Sequence, residues 1–234
     1  MKSVNNIAII TARKGSVRIK NKNLKLFLGK PIIFYSIKIL QKTKIFDLIV
    51  VSTNCDRTER IAKKYGVRKI IRRPDNISNN KTGTIKVINH SIEELRKNKI
   101  FPKYICCMYP ASPLTSYKNI KFSYNLMKKK FIKFVFPSTS LIKVKNINEE
   151  KKIIKIKKIR RKEGIVNDIY LDAAQFYYAS TNTWKKSKTA FLKKSLTFLI
   201  NDRVSDINTM SDWKAVKKIF IKKNKKYNYL SKLL

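Results

Sequence analysis

The sequence contains few acidic residues, histidines, cysteines and glycines, and these shortages exclude several classes of site. It has one histidine, His90, so a metal centre built from several histidines is excluded. Its three cysteines, Cys55, Cys106 and Cys107, provide neither a disulfide framework nor a zinc site, since two of them are adjacent. Unpaired cysteines favour a reducing, cytoplasmic compartment. No apolar run reaches the roughly 18 residues that a membrane-spanning helix needs, so we expect no membrane span.

Acidic residues are so scarce that the chain carries a large positive charge. Against 55 lysines and arginines stand 14 acidic residues, which gives a net charge of +41. Such a charge favours binding to polyanions, including nucleic acid. The excess lies in lysine, and isoleucine and asparagine are abundant too, as mutational bias in an AT-rich genome would produce. Arginine, which is best suited to reading bases, is not enriched. We therefore expect no specific nucleic-acid partner, although polyanion binding stays open.

The chain has 234 residues, 43% of them apolar, which is enough for one sizeable core. Short apolar runs alternate with segments of helical spacing, and this order predicts an α/β fold with a mainly parallel sheet. The predicted strands are 4–11, 48–53, 67–71, 104–109 and 134–137, and the predicted helices are 31–40, 56–65, 84–97 and 116–130. Such sheets bind ligands beyond the C-terminal ends of their strands. The loops after Thr11, Thr53, Tyr109 and Pro137 are therefore the predicted site.

The alternation of strands and helices stops near residue 140. Segments 153–159 and 169–180 are predicted as strands, and 209–221 as a helix. Thr209 is the candidate N-cap of that helix, with Asp212 as its partner three residues later. No repeat or linker interrupts the chain. We therefore expect a single domain over 1–234 with a β excursion in its C-terminal half.

Seven short motifs occur in one order along the chain. They are IITARKGSVRIKNKN (9–23), LGKPII (28–33), VVST (50–53), RRP (72–74), YPASPL (109–114), YLDAAQFYYA (170–179) and RVSDINTMSDW (203–213). Together they resemble the acylneuraminate cytidylyltransferase family, the CMP-sialic acid synthetases, and within it the pseudaminic acid cytidylyltransferase branch most of all. The resemblance covers nearly the whole chain, from about residue 7 to residue 220.

The resemblance implies a Rossmann-like nucleotide-diphospho-sugar transferase fold and a homodimer. It implies a cytidylyltransferase that transfers CMP from CTP to a nine-carbon nonulosonic acid, preferably pseudaminic acid, and releases pyrophosphate with Mg²⁺ as cofactor. It also implies a CTP-binding half, about 1–115, and a half for sugar, metal and dimer contacts, about 116–222. An N-acylneuraminate or legionaminate substrate is the nearest alternative. From another class, the chain would be a basic nucleic-acid-binding protein on a decayed transferase scaffold, but it contains no recognised nucleic-acid module.

The basic loop that follows the first predicted strand is implied to hold the triphosphate. Nucleotidyl transfer needs mainly positioning and charge neutralisation, which cations and backbone N–H groups supply. Arg13 and Lys22 match the family's triphosphate cations, and with Asp206 they are the candidate catalytic residues. The further nucleotide contacts that the resemblance implies are Ser16, Asn23, Arg73, Thr82 and Thr84.

The implied metal site lies just before the last helix. Mg²⁺ prefers carboxylate oxygens, and family members present Asp-x-Asp here. This chain has Asp206 and Asn208, and residues two apart on an extended segment point the same way. We therefore expect Asp206 to be a metal ligand and Asn208 a neutral second ligand.

The resemblance implies four residues that contact the sugar acid. Tyr109 stands where the sialic acid branch commonly has glutamine, and it matches the pseudaminic acid branch. Arg161 falls near the family's carboxylate-binding arginine. Asp172 and Tyr177 resemble the sugar-side strand, although alternation places at least one of Phe176, Tyr177 and Tyr178 in the core.

Four residues depart from the family pattern. Lys14 and Ala174 replace glycines, Val17 replaces a lysine, and Leu171 replaces a histidine. Glycine matters at such positions because it adopts positive φ without steric cost. We expect activity to be retained despite these changes.

Overall fold

A computed structural model describes residues 4–129, 131–141, 153–161, 164–200 and 206–225, and within these ranges it describes no side chains for 140–141, 153–161, 164–170 and 225. The strands are β1 (Asn6–Thr11), β2 (Leu26–Phe27), β3 (Lys30–Pro31), β4 (Leu48–Thr53), β5 (Lys69–Arg72), β6 (Tyr104–Met108), β7 (Phe134–Leu141), β8 (Ile153–Arg161), β9 (Gly164–Asp172), β10 (Phe176–Ser180) and β11 (Leu196–Leu199). The helices are α1 (Ile32–Thr43), α2 (Asp56–Lys64), α3 (Thr84–Lys97), α4 (Tyr117–Met127), α5 (Thr181–Lys186) and α6 (Met210–Lys225). None of the described helices is long and apolar enough to cross a membrane.

The main sheet has a parallel half and an antiparallel half. Strands β5, β4, β1 and β6 pair in parallel in that order, with β1 between β4 and β6. From β6 the sheet continues through β10, β7, β9 and β8 with antiparallel pairing, and β11 joins β7 in parallel. The predicted α/β class with a mainly parallel sheet is confirmed, and the antiparallel half is the predicted β excursion. The division into a nucleotide half and a sugar half stays a prediction.

Both faces of the central strands are buried, which explains why their sequences are continuously apolar. On β1, Ile7 and Ile9 belong to one core layer, whereas Ala8 and Ile10 belong to the layer on the opposite face. Burying one such isoleucine contributes roughly 1.5–3 kcal/mol. All three cysteines are free thiols. Cys106 and Cys107 are both buried in β6, and alternation assigns them to opposite layers.

The aromatic residues of β10 divide between the same two layers. Phe176 and Tyr178 pack in the layer that contains Ala8 and Ile10, and Tyr177 packs in the other. The expectation that at least one of the three is a core residue is therefore confirmed. Only Tyr177 also faces a cavity, so the alternation of the strand selects which aromatic residue can contact a ligand.

The prediction of one strand over 169–180 is wrong, because the chain turns between β9 and β10. Ala174 has φ of +47°, and its N–H donates to Oδ1 of Asp172 at 2.9 Å. A left-handed residue cannot continue a strand, so the apolar run is divided into two strands. The sequence pattern missed this turn because alanine does not mark it as glycine would.

Pro31 lies before the first helix and not inside it. It has an extended conformation, with φ of −54° and ψ of 137°, and it pairs with Leu26 in the β2–β3 hairpin. That hairpin was not predicted, since its strands have two residues each. Strand β11 was not predicted either, because Leu196–Leu199 shows no alternation of buried and exposed positions. Pro137, predicted as a strand end, lies within β7.

We predict that Ala174→Gly stabilises the protein by about 0.5–1 kcal/mol. A left-handed conformation costs alanine about 1–2 kcal/mol, and glycine returns part of that gain because it increases the entropy of the unfolded chain. The free energy of unfolding from a urea titration measures the change. Gly66→Ala is the matched reverse control: Gly66 has φ of +88°, and a Cβ there would lie 3.1 Å from Nε2 of Gln41, so this variant should lose stability. A destabilised Ala174→Gly would contradict the strain at this turn.

Candidate active site

A cavity of about 590 Å³ opens at the C-terminal ends of β1, β5 and β6. Cavities of this size are typical of small-molecule sites. Ten predicted site residues line it: Arg13, Ser16, Lys22, Asn23, Arg73, Thr82, Thr84, Tyr109, Asp206 and Asn208. The loops after Thr11 and Tyr109 are thus brought together as predicted. The residues directly after Thr53 and Pro137 do not line this cavity.

The loop after β1 is folded around the side chain of Arg13. Its Nη1 donates to the carbonyl oxygen of Gly15 at 2.7 Å and to that of Lys14 at 3.2 Å, and Nδ2 of Asn23 donates to the carbonyl oxygen of Arg13 at 3.0 Å. Gly15 has φ of +81°, whereas Lys14 has no positive φ. Lysine in place of the family's glycine therefore imposes no backbone strain at position 14.

Lys22 joins this loop to the segment before α6. Its Nζ donates to the carbonyl oxygen of Ile207 at 2.7 Å. Burial lowers the pKa of Lys22 below its ordinary value of 10.5, and the neighbouring cations Arg18 and Arg13 lower it further, although Asp206 acts in the opposite direction. The Lys22 ammonium is therefore partly desolvated, which makes it receptive to an anion in the cavity.

Asn208 lies between a cation and a carboxylate. Its Oδ1 accepts from Nη2 of Arg18 at 2.6 Å, and its Nδ2 donates to Oδ2 of Asp206 at 2.5 Å. The amide thus connects Arg18 to Asp206 without neutralising the guanidinium. Sequence reasoning gave Arg18 no individual role, although its position in the basic loop was visible.

The start of α6 fixes the backbone of this segment. Oδ2 of Asp212 accepts from the backbone N–H groups of Asn208 and Thr209 at 2.9 and 2.7 Å, and Oγ1 of Thr209 accepts from the N–H of Asp212 at 3.1 Å. This is the reciprocal cap that the sequence predicts at Thr209 and Asp212. The cap holds Asp206 and Asn208 at the mouth of the cavity.

The donor set at this mouth fits a divalent cation only in part. Within the described ranges no group of three or more histidine, cysteine or acidic side chains could hold a metal ion. Asp206 supplies one carboxylate, and the oxygen of Asn208 already accepts from Arg18. Mg²⁺ is commonly bound through one or two carboxylates together with substrate phosphates. The residues present therefore fit Mg²⁺ that arrives with a phosphate ligand.

Arg73 provides a buried cation deep in the cavity. Its side chain donates to Oγ of Ser52 at 3.2 Å and to the carbonyl oxygen of Ser52 at 2.9 Å. Burial lowers the pKa of Arg73 to about 10, so the guanidinium remains charged at neutral pH. Its neutral hydrogen-bond partners leave that charge available to an anionic or polarised ligand.

Thr82 and Thr84 line the opposite wall. Oδ1 of Asn79 accepts from the backbone N–H groups of Lys81 and Thr82 and from the hydroxyl of Thr82, which orders the turn before α3. Thr84 is the first residue of α3, and its hydroxyl lies 2.8 Å from the hydroxyl of Tyr109.

A second cavity of about 330 Å³ adjoins the first, and the two share Thr84 and Tyr109 as common walls. Asp172 and Tyr177 line the second cavity, and the Tyr177 hydroxyl donates to Oδ2 of Asp172. The hydroxyls of Tyr109 and Tyr177 are hydrogen-bonded to each other. Burial raises the pKa of both phenols, so both carry their protons at neutral pH.

Two sequence-level findings remain. Arg161 is the last residue of β8 and pairs with Gly164, but its side chain lies outside the described part of the chain. Ser112 lines the first cavity and is 2% exposed, and among the described residues its hydroxyl has no hydrogen-bond partner. Sequence reasoning missed Ser112 even though it stands in the YPASPL motif, because only the tyrosine of that motif was singled out.

Comparisons with known proteins agree with this arrangement. A profile of the family described as Cytidylyltransferase matches residues 7–233. A pseudaminic acid cytidylyltransferase of Campylobacter jejuni is 30% identical over 222 residues, which cover 92% of this chain and 96% of the relative. A CMP-N,N'-diacetyllegionaminic acid synthase of Legionella pneumophila is 23% identical over 91% of this chain and 95% of the relative.

The fold is also similar to solved structures. The chain superposes on CMP:2-keto-3-deoxy-manno-octonic acid synthetase, a structure in complex with CTP, with a TM-score of 0.67. The superposition covers 94% of this chain and 99% of that one at 13% identity. At that identity the likeness supports the fold alone.

We predict that Lys22→Ala weakens the binding of inorganic triphosphate at least about tenfold, since a charged hydrogen bond contributes roughly 1.5–3 kcal/mol. Because the pKa of Lys22 is lowered, wild-type binding should weaken as the pH rises at values below those where an ordinary lysine titrates. Lys22→Arg should retain binding to higher pH, because arginine stays charged. Calorimetric titrations across pH measure both effects. Lys20→Ala, an exposed cation of the same loop outside the cavity lining, is the control. Equal losses in Lys22→Ala and Lys20→Ala would show that only general charge attracts the anion.

Proposed function

The chain belongs to the cytidylyltransferase family, and from this premise we propose that it transfers CMP from CTP to a nine-carbon nonulosonic acid, with pseudaminic acid as the preferred acceptor. The observation that carries the proposal is the cation-lined cavity that adjoins a second cavity across Thr84 and Tyr109. One cavity suits a nucleoside triphosphate, and its neighbour suits the acceptor. The greater identity to a pseudaminic acid enzyme, 30% against 23% for a legionaminic acid synthase, favours pseudaminic acid. N-acylneuraminate or legionaminate remains the alternative acceptor.

The nucleotide is proposed to occupy the larger cavity. Arg13 and Lys22 hold the triphosphate, with Arg18 beside them, while Ser16 and Asn23 complete the loop that surrounds the phosphates. Arg73 supports the nucleotide from the buried end, and Thr82 and Thr84 contact its ribose and base. This assignment is supported by the convergence of these cations on one cavity, since a polyanion would repay the repulsion between them.

The acceptor is proposed to occupy the smaller cavity. Tyr109, Asp172 and Tyr177 supply hydroxyl and carboxylate groups for its hydroxyls and amides, and Phe191 and Trp184 supply an apolar wall. Arg161 is proposed to bind its carboxylate. A polar set beside aromatic rings is the usual composition of a sugar-acid site, because rings pack on the apolar face of the sugar.

Mg²⁺ is the proposed cofactor, held by Asp206 and, after its amide turns, by Asn208, together with the phosphates of CTP. When bound, the ion would neutralise phosphate charge. The chain's own residues do the rest: Arg13, Lys22 and Asp206 are the proposed catalytic residues, because they fix the triphosphate in line with the acceptor hydroxyl. Such positioning and neutralisation account for most catalysis of this class.

We also propose a homodimer in the cytoplasm. Exposed apolar side chains at Phe131, Leu196 and Leu199 flank β7 and β11 and offer a surface for a second copy. The three free thiols are compatible with a reducing compartment.

A substrate panel tests the proposed function. Pyrophosphate release is measured with CTP, Mg²⁺ and pseudaminic, legionaminic or N-acetylneuraminic acid, each at equal concentration. We expect the highest kcat/KM with pseudaminic acid and no release with UTP in place of CTP. Arg13→Ala should lower kcat/KM at least about tenfold while the protein remains folded, since one charged contact to phosphate is lost. An absence of release with every acceptor would overturn the proposal.

The metal assignment has its own pair of variants. Asn208→Asp restores a second carboxylate, so the Mg²⁺ concentration for half-maximal rate should fall, because attraction to a divalent ion increases. Asp206→Asn leaves no carboxylate at this pair and should abolish most activity. Mn²⁺ titrations in the presence of CTP measure binding independently of turnover. If Asp206→Asn binds the metal normally, the ion does not lie at this segment.

A further inference from the structure

Four side chains between the two cavities form one continuous hydrogen-bonded series. Thr84 contacts Tyr109 at 2.8 Å, Tyr109 contacts Tyr177, and Tyr177 donates to Asp172. We propose that this series, which we name the hydroxyl relay, accepts the proton of the acceptor hydroxyl that attacks CTP. The inference rests on the proposed function and assigns to it a proton path.

The direction of the relay follows from its end. A carboxylate only accepts hydrogen bonds, so the single phenolic proton of Tyr177 points to Asp172. The proton of Tyr109 must then point to Tyr177, and the proton of Thr84 must point to Tyr109. The oxygen of Thr84 is left with lone pairs for a further donor. The relay therefore selects a ligand group that donates a hydrogen bond, as a hydroxyl does.

The position of Thr84 places that acceptor where the two substrates meet. Thr84 and Tyr109 line both cavities, and no other residue is shared by the two linings. A hydroxyl that enters from the smaller cavity and reacts with a phosphate in the larger one must pass this wall. The acceptor oxygen of Thr84 thus lies at the junction where the reaction is proposed to occur.

Burial keeps the relay in the protonation state that it needs. The phenols of Tyr109 and Tyr177 are buried, which raises the pKa of each and prevents either from losing its proton to solvent. The ring centroids of the two tyrosines are 5.8 Å apart with an interplanar angle of 69°, so packing fixes the geometry between the hydroxyls. Asp172 is further held by the N–H of Ala174 at 2.9 Å.

The step balances in atoms and electrons. The attacking oxygen forms a bond to the α-phosphorus of CTP, and the bond from that phosphorus to the bridging oxygen breaks. Pyrophosphate leaves with the electron pair. The hydroxyl proton passes to Thr84, while the protons of Thr84, Tyr109 and Tyr177 each move one place towards Asp172. Asp172 ends as a neutral acid that faces the smaller cavity and returns its proton to solvent.

Single and double variants test the relay as a unit. We expect Tyr109→Phe, Tyr177→Phe and Asp172→Asn each to lower kcat about a hundredfold, which is the usual contribution of a positioned proton acceptor. The KM values for CTP and acceptor should not change. Tyr109→Phe/Tyr177→Phe should lose no more than either single variant, because groups that act as a unit are not additive. In mixtures of H₂O and D₂O, wild-type kcat should depend on the deuterium fraction with curvature, since several protons move together.

Tyr178→Phe is the matched control. Tyr178 adjoins Tyr177 on β10 and is fully buried, but its hydroxyl donates to Asn6 on the opposite face of the sheet. This variant should keep wild-type kcat per folded molecule, as measured by circular dichroism and active-site titration. If Tyr177→Phe fails to fold, Tyr109→Phe gives the same readout.

The outcomes separate the relay from the proposed function. Additive losses, losses confined to KM, or unchanged kcat in an active enzyme would overturn the relay and leave the proposed function in place. A linear dependence on deuterium fraction would also overturn it. A wild type that releases no pyrophosphate with any acceptor would overturn the proposed function and the relay together.

Discussion

The candidate site depends on how four cations are held next to one another. Arg13 binds carbonyl oxygens of its own loop, Lys22 binds the carbonyl of Ile207, Arg18 binds the amide of Asn208, and Arg73 binds Ser52. Each is oriented by a neutral oxygen and not by a direct ion pair among these contacts. The positive charge therefore remains available to a ligand. In a chain with 14 acidic residues, backbone and amide oxygens take the positioning role that carboxylates would otherwise have.

This arrangement links distant parts of the chain through their shared interest in an anion. The loop after β1 and the segment before α6 are joined by Lys22 and by Arg18, across 185 and 190 positions of sequence. Repulsion between the two cations opposes that closure, and the contacts to Ile207 and Asn208 offset it. A bound polyanion would add attraction to both sides, so the segment before α6 should be ordered most strongly when the cavity is filled.

The sequence predicted the central strands and the cavity residues well because each depends on a strong local signal. Strand β4 matches its predicted bounds, and α3 begins at Thr84 and ends at Lys97 as expected, since continuous apolar runs and helical spacing specify them. The turn at Ala174 and the hairpin around Pro31 were not predictable in this way. Both depend on tertiary pairing that overrides the residue's own preference, and neither carries a glycine signal at the turning residue. The individual contacts of Arg18 and Ser112 needed the geometry of the fold, because composition does not say which of many cations and hydroxyls face the cavity.

The adjacent thiols of β6 have a consequence of another kind. Cys106 and Cys107 are fully buried on opposite faces of the central sheet, one in each core layer. A strand that opens on one side only would expose one sulfur and keep the other protected from alkylation. The molecule therefore carries a separate chemical reporter for each half of its interior. Mass spectrometry of the two labelled positions would distinguish partial loosening from cooperative unfolding without any added probe.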